Sequence, residues 1–147
     1  MKKYQCFLFL VTLLHTPIGA AQSDDETAIR AAINKYFAAF SEAKAQNLQD
    51  VFLPEMQMIG NVRGKPWILQ GDKLAEGLKT RAPETLKTRV YFIDITHDAA
   101  MAKVNNVNVE TGTAYTDYLF FLKVQNEWKI AHKGYTRFKQ TVTPELP

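Results

Sequence analysis

The chain has little cysteine and little serine, which limits its options for covalent catalysis. Cys6 is the only cysteine among 147 residues, and it precedes the apolar run from Phe7 to Leu14. A mature chain without this segment has no disulfide and no cysteine nucleophile. Ser23 and Ser41 are the only serines, the first at a predicted helix start and the second at the polar end of that helix. A serine nucleophile with a base and an orienting acid is therefore not predicted.

Glycine and histidine patterns exclude the common cofactor sites. The glycines at 60, 64, 71 and 77 fit neither a phosphate-binding loop nor a dinucleotide-binding turn. His97 and His132 have no partner at metal-ligand spacing, so we expect no metal and no cofactor. The basic residues are scattered and form no stripe, which argues against a nucleic-acid partner.

The N-terminus has the three parts of a secretory signal peptide. Lys2 and Lys3 precede the apolar run at 7–14, and small residues including Gly19 and Ala21 follow. The run is too short to span a bilayer, so we expect no permanent membrane anchor. The sequence predicts a signal peptide at 1–21, cleaved after Ala21, and a periplasmic or secreted protein.

The remaining chain has the size and charge of one globular domain. Removing 21 of 147 residues leaves 126, with 16 basic and 15 acidic side chains. A chain of this length can bury a sizeable core. Without a repeat, linker or low-complexity segment, we expect a single domain at 22–140 and a loose C-terminal tail at 141–147.

Helical signals lie in the first half. Ser23 to Glu26 has capping-box spacing, which predicts that a helix starts there. Its inner face is predicted from an apolar stripe with three- and four-residue steps, at Ile29, Ile33, Tyr36, Phe37 and Phe40. A second helix is predicted from Leu48 to Phe52, and a third from Asp72 to Leu78.

Strand signals dominate the second half. Strands are predicted at 56–61, 67–69, 87–96, 101–111, 115–124 and 128–137, with turns at Arg63–Pro66, His97–Asp98 and Gln125–Glu127. Helices followed by consecutive strands with short connections indicate an α+β fold, in which an antiparallel sheet carries its helices on one face.

The strand that ends at Val124 is apolar on both faces. Leu119 and Phe121 point one way, while Tyr118, Phe120 and Leu122 point the other. Both faces need a cover, one from the helices and the other from a second subunit. The sequence therefore predicts a homodimer whose interface is formed by Tyr118, Phe120, Leu122 and Trp128.

Three segments then carry a resemblance to a known superfamily. The first-helix sequence Asn34 to Phe40, the pair Asp117-Tyr118 and the segment Trp128 to Ile130 resemble the nuclear transport factor 2-like superfamily. The resemblance is closest to its polyketide cyclase-like and putative lumazine-binding types. It implies a cone-shaped, curved sheet wrapped around the N-terminal helices, a pocket at the open end, and frequent dimers. Members include isomerases, dehydratases and binding proteins, so the fold does not choose the function.

The resemblance also suggests a pocket chemistry. Tyr36 and Asp117 resemble the tyrosine and the protonated aspartic acid that form the oxyanion hole of ketosteroid isomerase. Where that enzyme's aspartate base would stand, this chain has Gly60-Asn61. Proton abstraction would therefore need another base, such as Glu55 or Asp94.

The expected pocket holds a small apolar or aromatic molecule. Its predicted lining consists of Tyr36, Phe40, Trp67, Asp117, Leu119, Phe121, Lys133 and Tyr135. Plainer readings remain open: Tyr36 as a core residue, Asp117 bonded to backbone donors, Lys133 solvated at the sheet rim, and Trp67 as a cover for the core.

Three functions fit the sequence. The first is a secreted small-ligand-binding domain. The second is an acid–base isomerase or dehydratase that lacks an evident base. The third is a dimerising protein-interaction module.

Overall fold

The computed structural model describes residues 18–141, with side chains from residue 24 onward. The predicted signal peptide at 1–21 and tail at 141–147 lie almost wholly outside these residues. Their boundaries therefore stay predictions. Within the described range, no helix is long and apolar enough to cross a membrane.

Helices occupy the first half of the domain, as predicted. They are α1 (Ile18–Ser41), α2 (Ala45–Val51) and α3 (Gly71–Leu78). α1 begins at Ile18, and the predicted cap by Ser23 lies outside the described side chains. The predicted stripe of α1 is confirmed, since Ile29, Ile33 and Phe37 are buried.

Six strands form one curved sheet, which confirms the α+β class. They are β1 (Phe52–Val62), β2 (Lys65–Gln70), β3 (Leu86–Thr96), β4 (Ala99–Asn108), β5 (Thr113–Val124) and β6 (Glu127–Lys139). Their order across the sheet is β2-β1-β6-β5-β4-β3.

One strand pair departs from the expected antiparallel pattern. β1 and β6 run parallel, while every other neighbouring pair of these strands is antiparallel. The β1–β2 hairpin joins the sheet next to β6, the last strand of the β3–β6 meander. Parallel strands need a long connection, and here the chain from β2 to β5 connects β1 with β6. Pro54 lies between Phe52 and Gln57, where the β1–β6 pairing is interrupted and its missing N–H costs no ladder bond.

Two tight turns are built as the sequence predicts. Arg63 and Gly64 have φ of 53° and 80°, and Gln125 and Asn126 have φ of 50° and 68°. Positive φ at both central residues suits the right-handed twist of a hairpin. These turns set the β1–β2 and β5–β6 registers.

A β-bulge in β6 changes which side chains face the helices. Phe121 pairs with Ile130, whereas the preceding residue Phe120 pairs with His132, so Ala131 is the extra residue. An extra residue reverses the alternation of the strand beyond it. Even-numbered residues of β6 before the bulge and odd-numbered residues after it therefore face the helices.

This bulge overturns the prediction for Trp128. Strict alternation places Trp128 with His132 on the outer face, but Trp128 is only 5% exposed and packs in the core. Its indole nitrogen donates to Asp25 of α1 at 2.9 Å. Trp128 is thus on the helix side of the sheet, and its assignment to the outer interface is wrong.

The core lies between the three helices and the inner face of the sheet. Its largest fully buried apolar side chains come from α1, α2, α3, β1, β5 and β6: Ile29, Ile33, Leu48, Leu78, Met56, Leu119, Phe121 and Ile130.

Asp25 fastens α1 to the β5–β6 hairpin. Its Oδ1 accepts a hydrogen bond from Lys123 Nζ at 2.7 Å and another from Trp128 Nε1 at 2.9 Å. The bonds to Lys123 and Trp128 lower the pKa of Asp25 below its ordinary value of 3.8. The stability that this carboxylate contributes is present above pH 3.8 and is lost as pH falls through the lowered value.

We expect Asp25→Asn to lower the free energy of unfolding by about 1 kcal/mol at pH 7, because the charge of the acceptor is lost. Urea unfolding at several pH values measures this difference. It should shrink as pH falls below 3.8 and through the lowered pKa of the folded protein, where the parent carboxyl also becomes neutral. Asp24→Asn, at the exposed neighbouring residue, is the matched control and should change little. A difference that persists undiminished in acid would contradict this account.

Candidate functional site

Three polar side chains meet inside the domain. Tyr36 comes from α1, Asp117 from β5 and Lys133 from β6. The Lys133 ammonium donates to the Tyr36 hydroxyl at 2.6 Å, and that hydroxyl donates to Asp117 Oδ2 at 2.8 Å. Lys133 Nζ also lies 3.1 Å from the same Oδ2. Each group therefore contacts the other two.

This Tyr36–Asp117–Lys133 cluster is sealed from solvent. Asp117 is 0% exposed, and Tyr36 and Lys133 are nearly as buried. Burial, followed by the nearby charge of Asp117, raises the pKa of Tyr36 well above its ordinary value. The hydroxyl thus keeps its proton, and the Lys133 ammonium compensates the carboxylate.

One atom of the cluster has no partner. Asp117 Oδ1 is buried and accepts no hydrogen bond, the one such side-chain oxygen or nitrogen in the described part of the chain. A buried acceptor without a donor is costly, and native proteins usually satisfy it with water, an ion or a ligand. Asp117 therefore offers a binding position for a hydrogen-bond donor.

Aromatic rings connect the cluster with the surface. The Tyr135 ring centroid is 5.3 Å from Lys133 Nζ, 6.1 Å from the Tyr115 ring and 6.4 Å from the Trp67 ring. Tyr135 is half-buried and Trp67 is exposed. These three rings, called here the aromatic cover, lead from the buried Lys133 to the exposed Trp67.

Gly60 makes room for Tyr135. A Cβ at position 60 would lie 2.3 Å from two carbons of the Tyr135 ring. The ring therefore lies directly on the β1 backbone, which any larger residue would prevent. Gly60 stands where ketosteroid isomerase would have its aspartate base. Its role in this structure is to leave space for the Tyr135 ring.

Most of the predicted pocket residues gather here. Tyr36, Trp67, Asp117, Lys133 and Tyr135 form the cluster and its cover, and Phe40 packs edge-on against Tyr36. Leu119 and Phe121 share the face of Asp117 but are fully buried in the core. Sequence reasoning missed Tyr115, although its position two residues before Asp117 places it on the same strand face.

The alternative reading of Lys133 as a solvated rim residue is wrong, since the side chain is buried. The two candidate bases are also misplaced for chemistry at the cluster. Glu55 is exposed, and exposed Asp94 pairs with Met101 in a row of the outer sheet face. Neither carboxylate belongs to the Tyr36–Asp117–Lys133 cluster.

The cluster differs from an oxyanion hole. The Tyr36 hydroxyl already donates to Asp117 Oδ2, and Lys133 Nζ lies 3.1 Å from the same oxygen. The free position is an acceptor, which suits a donor on the ligand and repels an oxyanion. Within 18–141, no three His, Cys, Asp or Glu residues gather as metal ligands.

The outer sheet face carries a second group of predicted residues. Tyr118 is 45% exposed and Phe120 is 39% exposed, while Leu122 is half-buried. Nearby on β3 and β4, Tyr91, Phe92 and Met101 are exposed as well. These six residues form the outer apolar face.

Comparison with known proteins establishes the family. Residues 24–136 match the family described as "Putative lumazine-binding". The chain belongs to this family. Its fold is that of the nuclear transport factor 2-like superfamily, as the sequence predicts. No curated protein matches the chain.

Solved structures with the same fold come from several bacteria. An NTF2-like protein of unknown function from Shewanella baltica OS155 is 22% identical, covers 80% of this chain and 97% of its own, and gives a TM-score of 0.73. A protein from Silicibacter pomeroyi DSS-3, also NTF-2 like and of unknown function, is 20% identical. The match covers 80% of this chain and 98% of that protein, with a TM-score of 0.71. An NTF2-like protein of unknown function from Methylobacillus flagellatus KT is 22% identical. The match covers 85% of this chain and 97% of that protein, with a TM-score of 0.70. At these identities the likeness shows the fold alone.

We expect Lys133→Met to lower the free energy of unfolding by about 3–5 kcal/mol, because Asp117 would stay buried without a counter-charge. Replacing both partners, in Asp117→Leu with Lys133→Met, should recover most of that loss. Lys73→Met removes a cation from an exposed pair with Glu76 and serves as the control, with little expected change. Urea unfolding of the parent, Lys133→Met, Asp117→Leu and the double variant measures the coupling. Additive losses would mean that the two charges do not compensate each other.

Proposed function

We propose that this domain binds a small, flat, aromatic molecule with a hydrogen-bond donor directed at Asp117. The unpartnered Oδ1 of Asp117 carries this proposal. A ligand N–H or O–H at that position satisfies the acceptor, and the adjacent Lys133 and Tyr36 fix the carboxylate in place. The proposal requires binding and no chemical step.

The aromatic cover indicates the shape of the ligand. Tyr115, Tyr135 and Trp67 present ring faces and edges beside the cluster. Such rings favour stacked or edge-on contact with another flat ring. The family description, "Putative lumazine-binding", suggests lumazine as a probe. Lumazine is a flat, fused bicyclic ring that carries N–H donors beside carbonyl acceptors.

Entry of the ligand requires Tyr135 to move. Tyr135 is the cross-strand neighbour of Asp117, which has no exposed surface of its own. Tyr135 is half-buried and is near Trp67, whose side chain is exposed. A rotation of Tyr135 away from Gly60 opens a path to the carboxylate, and the ligand then replaces the ring contacts.

We expect lumazine to bind the parent protein and to bind the folded double variant Asp117→Leu, Lys133→Met at least about tenfold more weakly, because a charge-assisted hydrogen bond is lost. Tyr115→Ala, which removes a ring on the face of Asp117, should also weaken binding, whereas Tyr118→Ala, on the opposite face, should not. Fluorescence titration measures each dissociation constant. Lumazine binding that survives the double variant would rule out Asp117 as the site, and a parent that does not bind would rule out this ligand class.

We also propose a secreted homodimer. The apolar run at 7–14 with its basic and small-residue flanks supports export, with the mature chain starting at Gln22. The outer apolar face supports dimerisation, because exposed aromatic side chains on adjacent strands favour a protein contact. Tyr118 and Phe120 are its central residues, with Leu122 beside them.

We expect native mass spectrometry of the protein purified from its own host to give twice the mass of a chain that begins at Gln22. Phe120→Glu should give a folded monomer, because a carboxylate would be buried unpaired at the contact. Val62→Glu changes an exposed apolar residue outside the outer apolar face and should leave the dimer intact. A Phe120→Glu dimer would exclude this interface, and an intact mass that includes Met1 would exclude signal cleavage.

A further inference from the structure

Gly134 leaves a notch in the outer face of the sheet. It lies in the interior of β6, between its partners Ile59 on β1 and Tyr118 on β5. Among the described residues, a Cβ at this position would have no heavy atom within 4 Å beyond its chain neighbours. The φ of Gly134 also lies outside the left-handed region. Neither backbone conformation nor packing within the chain therefore requires this glycine.

A glycine inside a strand weakens it and often marks a place where another backbone or a ligand approaches closely. Gly134 alternates with Lys133 and Tyr135, which face inward, so its missing side chain would point outward. The space above Gly134, called here the Gly134 notch, is thus open to a molecule that approaches the outer face.

Two rows of residues cross the outer face at the notch. The sheet register gives one row, in the order β3, β4, β5 and β6, as Phe92, Lys103, Tyr118 and Gly134. The next row, two residues away on each strand, is Asp94, Met101, Phe120 and His132. The large apolar members of both rows are 39–45% exposed: Phe92, Met101, Tyr118 and Phe120.

The first row is complementary in shape to its own reverse. A two-fold axis along the strands, between β4 and β5, places each row opposite the same row of a second copy in reverse order. Phe92, a protruding ring, then lies opposite the Gly134 notch of the second copy. Lys103 lies opposite Tyr118 of the second copy, where an ammonium and an aromatic ring attract each other.

The second row is complementary in charge under the same axis. Asp94 lies opposite His132 of the second copy, and Met101 lies opposite Phe120. Within the described part of the chain, neither Asp94 nor His132 forms an ion pair or a side-chain hydrogen bond. An imidazole can donate a hydrogen bond to a carboxylate, and it is cationic when protonated. One axis thus satisfies both rows, and no two like charges meet across them.

We propose that a second copy of this chain docks on the outer face with Phe92 in the Gly134 notch and Asp94 against His132. The axis makes each of these contacts twice. Because this face supplies both halves of every contact, the partner that it fits is an identical chain. The inference rests on the proposed homodimer and specifies which residues of the two copies meet.

Gly134→Leu tests the notch, because the new side chain would overlap Phe92 of the second copy. We expect the dimer dissociation constant to rise at least about tenfold, measured by analytical ultracentrifugation over a dilution series. The urea midpoint of the variant should not fall, since glycine is a poor strand residue. Gly77→Leu is the matched control, because a Cβ at Gly77 also meets nothing within 4 Å and this glycine lies on α3.

A double variant tests the pairing itself. Phe92→Ala should weaken the dimer on its own, but Phe92→Ala with Gly134→Leu should lose less than the sum of the two single losses, because the overlap disappears. Additive losses would overturn the pairing of Phe92 with Gly134. A parent dimer that Phe120→Glu dissociates and Gly134→Leu leaves unchanged would overturn this inference alone. A monomeric parent would overturn the homodimer and this inference with it.

Discussion

The change of side-chain parity in β6 is the constraint on which both faces of this sheet depend. Before the bulge, Trp128 and Ile130 point toward the helices and fill the core. After it, Lys133 and Tyr135 point the same way and meet Asp117. A regular strand would place one of these pairs outside, since alternation is strict. The extra residue at Ala131 thus lets one strand supply both an apolar anchor and a buried cation.

That buried cation explains how the domain tolerates Asp117. An isolated carboxylate in an apolar interior costs several kcal/mol, and an ion pair offsets this cost only when its geometry and hydrogen bonds are good. Here Lys133 and Tyr36 both contact Oδ2, which leaves Oδ1 alone. An apolar pair of similar volume would fill the space without this penalty. This cost supports the proposal that the Tyr36–Asp117–Lys133 cluster recognises a hydrogen-bond donor.

Much of this architecture follows from sequence patterns, and the exceptions have physical causes. The helical stripe of α1, the six strands and the tight turns follow from periodicity and turn chemistry. Alternation along β6 predicts that Lys133 and Tyr135 share a face of the sheet. The resemblance to ketosteroid isomerase predicts that Tyr36 and Asp117 lie together. The bulge leaves no signal in Ile130-Ala131-His132, so the inward position of Trp128 could not be foreseen. The contact of Lys123 with Asp25 joins residues 98 apart, and only the folded chain reveals it.

Two features on the inner face of this sheet depart from the usual pattern of strand residues. A lysine stands in an inner row that is otherwise apolar, between Leu119 and Met58. A glycine replaces a side chain on β1 so that an aromatic ring can lie on the backbone. In a sequence selected for stability alone, local propensity, strand pattern and core packing favour the same structure. Residues that break this agreement are expected at functional sites.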